Sequence, residues 1–301
     1  MLGNAGPYRL VSRLARGGIG EVFLAADPSV AGIERQVVVK RLFANWAREP
    51  KVAALFEHEA RLLAEMAHPA VPQVYAYAKD NAGPYIAMEF APGVDLSALI
   101  DRGEPIPVAH AVAIATQILE ALVHVHERVT ASGESLRVVH RDVSPANIRI
   151  GPDGWLALLD FGVAQSTWLG AEPNDARGSP GYLAPEVIEG RAVDARADLF
   201  AAGAVLHEML AGQRLFDGGA LVAMQKIVEG ERVPPSRIAP DVPPALDAIV
   251  LRALAVDPTA RFVSAEAMAS ALEQAGAAAG LVPSRLGLGR WLRTRVPTPV
   301  R

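Results

Sequence analysis

A change of hydrophobic period near residue 91 constrains this fold more than any other feature of the sequence. Before it, short alternating runs (RLVSRL, EVFLA, QVVVKRLF, AHPAVPQVY and PYIAMEF) read as strands. One helical pattern interrupts them after Pro50, with Val52, Leu55, Phe56, Leu62, Leu63 and Met66 at helical spacing. From Leu96 onward helices dominate, notably around 108–127, 195–211, 220–229, 244–255 and 264–275, with short strand-like pieces VVH and WLALLDF between them. A strand-rich lobe followed by a helix-rich lobe implies an α+β protein with a cleft between the two, a common place for a ligand. The expected division is a first lobe over 1–91, a helical lobe over 92–275, and an Ala/Gly linker with a basic tail over 276–301.

Composition narrows the classes. Hydrophobic residues make up 51% and charged residues 21% of 301, which suits a chain with a packed core and argues against disorder. The net charge of −4 gives no reason to expect a nucleic-acid partner. Without cysteine there is neither a disulfide nor a thiolate metal site. The N-terminus MLGNAGPYRL lacks a secretory pattern, and AVAIATQILEALV and LFAAGAVLHEML read as buried helices rather than spans, so a cytoplasmic location is expected.

Several motifs carry chemistry. In ARGGIGEV, Gly17 and Gly20 lie between two strand patterns, where the missing Cβ lets backbone N–H groups approach phosphate oxygens. Ala15 takes the first position of the G-x-G-x-x-G spacing, and a hairpin turn would show the same glycines. Lys40 ends VVVK and shares a strand face with Val38. Glu59 falls on the apolar face of the first helix, where a carboxylate needs a partner, and Lys40 is the obvious one.

The set HRDVSPAN at 140–147, DFG at 160–162 and GSPGYLAPE at 178–186, in that order after ARGGIGEV and VVVK, resembles the motif set of protein kinases. The likeness covers roughly residues 8–275 and is closest to the eukaryotic-like Ser/Thr kinases of bacteria. It implies a two-lobed kinase fold, with a small antiparallel sheet lobe holding one helix and a large helical lobe. The implied activity is transfer of the ATP γ-phosphate to Ser or Thr of protein substrates, a reaction run by positioning and charge neutralisation. The resemblance makes Asp142 the base and Asn147 and Asp160 the ligands of Mg²⁺, with Mn²⁺ as a substitute. Lys40, paired to Glu59, would hold the α- and β-phosphates. Ala15, Gly17, Gly20, Val22 and Val38 would surround ATP, Met88 would stand beside adenine, and the backbone of Glu89 and Ala91 would bond it. Glu186 would pair with Arg261, and Asp198 would brace the HRD backbone. The APE-type segment favours a protein acceptor over a small molecule.

Three departures stand against this pattern. Ser144 replaces the usual lysine, and its hydroxyl is expected to orient the acceptor or reach phosphate through water. Arg149 stands where an apolar floor beneath adenine is usual, so its guanidinium either stacks there or crowds the pocket. In the activation segment, Ser166, Thr167 and Ser179 are the candidate phosphosites, and Glu172 or Asp175 would face Arg141 in place of a phosphate. These departures keep open a second reading, a catalytically weak kinase-like module that signals by binding nucleotide or partners. The tail carries Arg285, Arg290, Arg293, Arg295 and Arg301 interleaved with Leu286, Leu288, Trp291 and Leu292. Such a segment meets a membrane surface or a partner, or else ends disordered or packs back as a short helix; Gly287 and Gly289 weigh against an amphipathic helix.

Overall fold

The computed structural model describes residues 2–30, 33–129, 133–161 and 180–296. The described residues form two compact units, one up to Ala91 and one from Pro92 onward.

The first unit is a six-stranded antiparallel sheet in the order β1-β2-β3-β4-β6-β5. Its strands are β1 (Asn4–Ala5), β2 (Tyr8–Arg16), β3 (Gly20–Val30), β4 (Ile33–Leu42), β5 (Val74–Asp80) and β6 (Gly83–Glu89). Alternation in VVVK sorts β4 between two faces. Val37 and Val39 are fully buried on one face, packed with Tyr8, Leu10, Phe23, Tyr85 and Ala87. Tyr8 of β2 meets Tyr85 of β6 edge to face at 6.3 Å although two strands separate them, so the sheet curls over this core. On the other face Leu42 and Ile86 pack against Val52, Phe56 and Ala60 of α2 (Pro50–Ala64), which the four-residue turn α1 (Ala44–Ala47) precedes. Pro50 opens α2, where its missing N–H costs no helical bond.

In the second unit a three-stranded sheet, β7 (Val94–Asp95), β8 (Ile148–Ile150) and β9 (Leu156–Leu158), accompanies helices α3 (Leu96–Ile100), α4 (Val108–His126), α5 (Pro185–Ile188), α6 (Arg196–Ala211), α7 (Ala220–Glu229), α8 (Pro244–Ala253) and α9 (Ala265–Ala278). α4 is long and apolar enough to cross a bilayer by length and composition, yet ten of its residues are buried within the unit. All of α6 except Arg196 is buried, which makes it the centre of the helical core.

One expectation needs correction. VVH at 138–140 is not a strand, because the His140 and Arg141 N–H groups both donate to the Asp198 carboxylate at 2.8 Å instead of to a ladder. Of the alternatives for the chain beyond Ala278, the short helix that packs back is the one present: α10 (Arg285–Arg295) has Leu288, Gly289 and Leu292 buried. Of the two glycines that weigh against a helix, Gly289 permits this one to dock. A Cβ on Gly289 would stand 2.7 Å from the Asp153 carbonyl carbon, and one on Gly154 would stand 2.0 Å from the Arg285 oxygen. Glycine lets α10 lie directly on the β8–β9 turn. Arg285 stacks over Trp155 at 4.5 Å, Arg293 donates to the Pro152 carbonyl, and Arg295 pairs with Glu104 at 2.6 Å.

Candidate active site

Within the first unit, register places the expected nucleotide-facing residues on one side of the sheet. Val22 pairs with Lys40, and Val38 pairs with Met88, while Val37 and Val39 point into the opposite core. The Lys40 ammonium sits 2.7 Å from Glu59 Oε1, with the lysine side chain 13% and the glutamate 1% exposed. Glu59 is thus held by a cation on a neighbouring element, as its place on a buried helix face demands. Ala15 pairs with Val22 and leads into the turn where the Gly17 N–H donates to the Gly20 carbonyl at 2.8 Å. Gly20 is sterically required, because a Cβ there would meet the Arg41 carbonyl oxygen at 2.3 Å. Gly17 has no such constraint, since its nearest contact would be 3.7 Å away. The Glu89 N–H donates to the Gln73 carbonyl at 2.8 Å, and Ala91 closes the unit.

In the second unit the HRD loop is built around a buried carboxylate. Asp198 near the start of α6 accepts from the His140 and Arg141 N–H groups and contacts His126 Nε2 at 2.8 Å. Bonds from His126 and the loop amides hold its pKa below the usual carboxylate value despite the opposing effect of burial, so the brace stays charged. Asp198 was legible from the motif; His126, at the end of α4 and outside every motif, was not. Burial drives the His140 imidazole down to about 4, and its Nδ1 accepts from the Asp142 N–H at 3.3 Å. Neutral His140, packed 4.4 Å from the Phe161 ring, therefore acts as an acceptor that shapes the loop.

Asp142 and Asn147 are tied directly, for Asn147 Nδ2 donates to the Asp142 carbonyl at 2.9 Å. The Leu159 N–H donates to the Asn147 carbonyl at 2.7 Å, which brings Asp160 beside Asn147. Arg141 and Asp160 both adopt positive φ, +69° and +49°. Such backbone strain clusters where function needs it. Because its amide nitrogen is committed, Asn147 presents the amide oxygen, and with the Asp160 carboxylate it offers two hard oxygen donors. Among the described residues no three His, Cys, Asp or Glu side chains form a metal cluster. Two donors, completed by phosphate and water, fit a cation of the magnesium type, which keeps much of its hydration.

The departures resolve differently from expectation. The Ser144 side chain is 1% exposed, and its Oγ has no partner among the described residues, so it does not reach outward toward an acceptor. The Arg149 guanidinium pairs with Asp95 at 3.0 Å across the β7–β8 ladder. Ile148 and Ile150 are fully buried on the opposite side, as alternation requires. Nothing in the sequence marked Asp95, which lies on a two-residue strand too short to show a period. Gly162, Ser166, Thr167, Glu172, Asp175 and Ser179 lie outside the described residues.

Beside Pro145 of the loop, a cavity of about 300 Å³ is bounded by Tyr182, Glu208, Arg214 and Phe216. The Tyr182 hydroxyl donates to Glu208 Oε2 at 2.6 Å, and burial pushes the Glu208 carboxyl up to about 7. An unfolded carboxyl ionises near 4.5, so between about 4.5 and 7 the folded state binds the extra proton. Glu208 therefore contributes most stability in acid, and that contribution declines as pH rises through this window. Thermal unfolding of Glu208→Gln should show a gain over wild type at pH 8 that disappears at pH 5.

The comparisons with known proteins fit this geometry. Residues 8–272 match the family described as protein kinase domain. The chain belongs to the protein kinase family. Kinase relatives include the Myxococcus xanthus tyrosine-protein kinase MasK, 38% identical over 89% of this chain and 43% of its own length. The Mycolicibacterium smegmatis serine/threonine-protein kinase PknB is 37% identical over 87% of this chain and 41% of its own length. The chain thus spans about two fifths of these relatives. The crystal structure of the kinase domain of Mycobacterium tuberculosis PknI aligns with a TM-score of 0.69 at 28% identity, covering 91% of this chain and 98% of that one. As in that fold, an antiparallel sheet unit precedes a helical unit.

Proposed function

We propose that this kinase transfers the γ-phosphate of Mg-ATP to Ser or Thr hydroxyls of protein substrates. The observation that carries the reading is the Asn147–Asp142 hydrogen bond at 2.9 Å on a loop braced by Asp198, which fixes base and metal ligand as one piece. Asp142 takes the acceptor's proton, and Asn147 and Asp160 hold Mg²⁺, with Mn²⁺ a fitting substitute for the same oxygen donors. When bound, the cation neutralises charge on the phosphates. Lys40, kept in place by Glu59, contributes a second positive charge, and the Gly17–Gly20 turn contributes backbone N–H groups. Val22, Val38 and Met88 of the first unit, with the backbone of Glu89 and Ala91, would line the nucleoside, and in the second unit the Asp95 pair holds Arg149 in position.

Ser144 brings no cation to the transferring group, and the loss of one electrostatic clamp lowers rates about 10²–10³-fold. A slow enzyme is therefore expected, though not an inert one, because Lys40, Glu59, Asp142, Asn147 and Asp160 are all retained. Pro145, buried at the start of a 3₁₀ turn, supports the Ser/Thr loop form.

The test is transfer of labelled γ-phosphate to a generic basic protein and to the chain itself, with Asp142→Asn alongside. Label that depends on Asp142 and appears on Ser or Thr supports the reading. Label on Tyr alone, as the name of the Myxococcus relative would suggest, overturns the acceptor assignment. Label equal to that of Asp142→Asn favours the binding-module alternative.

A further inference from the structure

One side chain outside the kinase motifs reaches the glycine turn. The Trp46 indole N–H donates to the Gly18 carbonyl at 3.0 Å. Trp46 belongs to α1, the short turn between the strand of Lys40 and the helix of Glu59. Three further contacts fasten the same two segments. The Phe43 N–H donates to the Ile19 carbonyl at 2.8 Å, the Arg16 guanidinium lies 5.2 Å from the centre of the Phe43 ring, and Ile19 and Trp46 both pack on the cluster formed by Leu42, Val52, Phe56 and Ile86. α1 is in turn continuous with α2, since the Glu49 N–H donates to the Trp46 carbonyl and the Ala53 N–H to the Glu49 carbonyl, at 3.1 and 3.0 Å.

The geometry of the bond matters. In a trans peptide the C=O and the following N–H point in opposite directions. A donor that holds the Gly18 oxygen therefore sets the direction of the Ile19 N–H, turning it away from α1. On its N-terminal side that peptide turns about Gly18, which has no Cβ to restrict it, so without the bond its orientation is weakly held there. An indole N–H half-shielded by packing is a fixed donor, and its ring has little rotamer freedom left to lose.

We propose that Trp46 is a positioning residue for phosphate binding: it locks the Gly18–Ile19 peptide so that its N–H is presented to the nucleotide phosphates, and it couples that peptide to the helix carrying Glu59. This rests on the reading of the chain as an ATP-binding kinase. Trp46 touches no substrate; it acts through the loop. Lys40 and the loop thereby share one mechanical base, since one end of α1 holds Gly18 and the other leads into the helix whose Glu59 holds the ammonium.

The deciding variant is Trp46→Phe, which keeps a ring on the Ile19 cluster and removes only the donor. Binding of ATP and of adenosine, with Mg²⁺ present, is measured by calorimetry on the whole chain. The expected result is a rise of roughly three- to tenfold in the ATP dissociation constant, with adenosine affinity unchanged because it has no phosphates. KM for ATP should rise similarly while kcat changes little. Unchanged ATP affinity, or equal weakening of ATP and adenosine, overturns the proposal, the second outcome marking a merely structural tryptophan. If Trp46→Phe does not fold, Phe43→Leu tests the same coupling through the Arg16 contact and should weaken ATP more than adenosine. Wild-type protein that binds no ATP overturns the functional reading and this inference together, whereas wild-type binding with an indifferent Trp46→Phe overturns this inference alone.

Discussion

Replacing Lys40 with methionine should lower kcat/KM about 10²–10³-fold, the usual size of losing one preorganised charge from a phosphoryl-transfer site. The same change should also destabilise the first unit. Glu59, 1% exposed, would lose the ammonium 2.7 Å away, and a buried charge deprived of its partner is costly. Those effects separate in a double variant. Lys40→Met with Glu59→Gln removes the uncompensated carboxylate, so melting temperature should recover toward wild type while transfer stays low. Steady-state transfer assays and thermal unfolding on the three variants check both halves. Recovery of activity in the double variant would show that Lys40 serves only to neutralise Glu59.

The largest stability effect is expected at Arg261. Its guanidinium makes a two-pronged pair with Glu186, 2.7 Å on each side, with the side chains 0% and 1% exposed. It also donates to the carbonyls of Ala255, Arg196 and Val256, at 2.8, 2.9 and 3.2 Å. One side chain therefore ties α5, α6 and the segment after α8 together. Arg261→Met leaves Glu186 buried without its cation and takes one donor from each of three carbonyls, a loss of about 3–5 kcal/mol. Denaturant unfolding of the second unit should show it. Adding Glu186→Gln should return part of that loss, because the stranded charge is then gone. A Lys40-like fall in activity without a stability change at Arg261 would contradict this account.

Much of this was readable from residue order. The alternation of VVVK gave the face of Lys40, and the helical spacing of Phe56, Glu59 and Leu63 put a carboxylate where it had to find a cation. The pairing of Glu186 with Arg261 also followed from motifs. What escaped was whatever depends on contact between segments without period. VVH looked like a strand, but its amides are taken by a side chain 57 and 58 residues on. Arg149 posed a question that only Asp95 answers, and the answer needs the register of a strand two residues long. Ser144 looked like a substitute for the missing lysine, yet burial turns that position inward. Trp46 carries no motif at all, and its bond to Gly18 becomes visible only when α1 is folded beside the turn.

The helix α10 alters where this protein can be cut. The match to the kinase family model ends at residue 272, but the hydrophobic interior does not. α10 lies on the β8–β9 turn through Gly289 and Gly154 and has Leu288 and Leu292 buried, and the hairpin it covers begins just after Asn147 and ends just before Asp160. A fragment trimmed at residue 272 would lose this cover from the far end of a hairpin that joins Asn147 to Asp160. The family match and the packed helix therefore have different boundaries here, and recombinant versions should extend past Arg295 to retain α10.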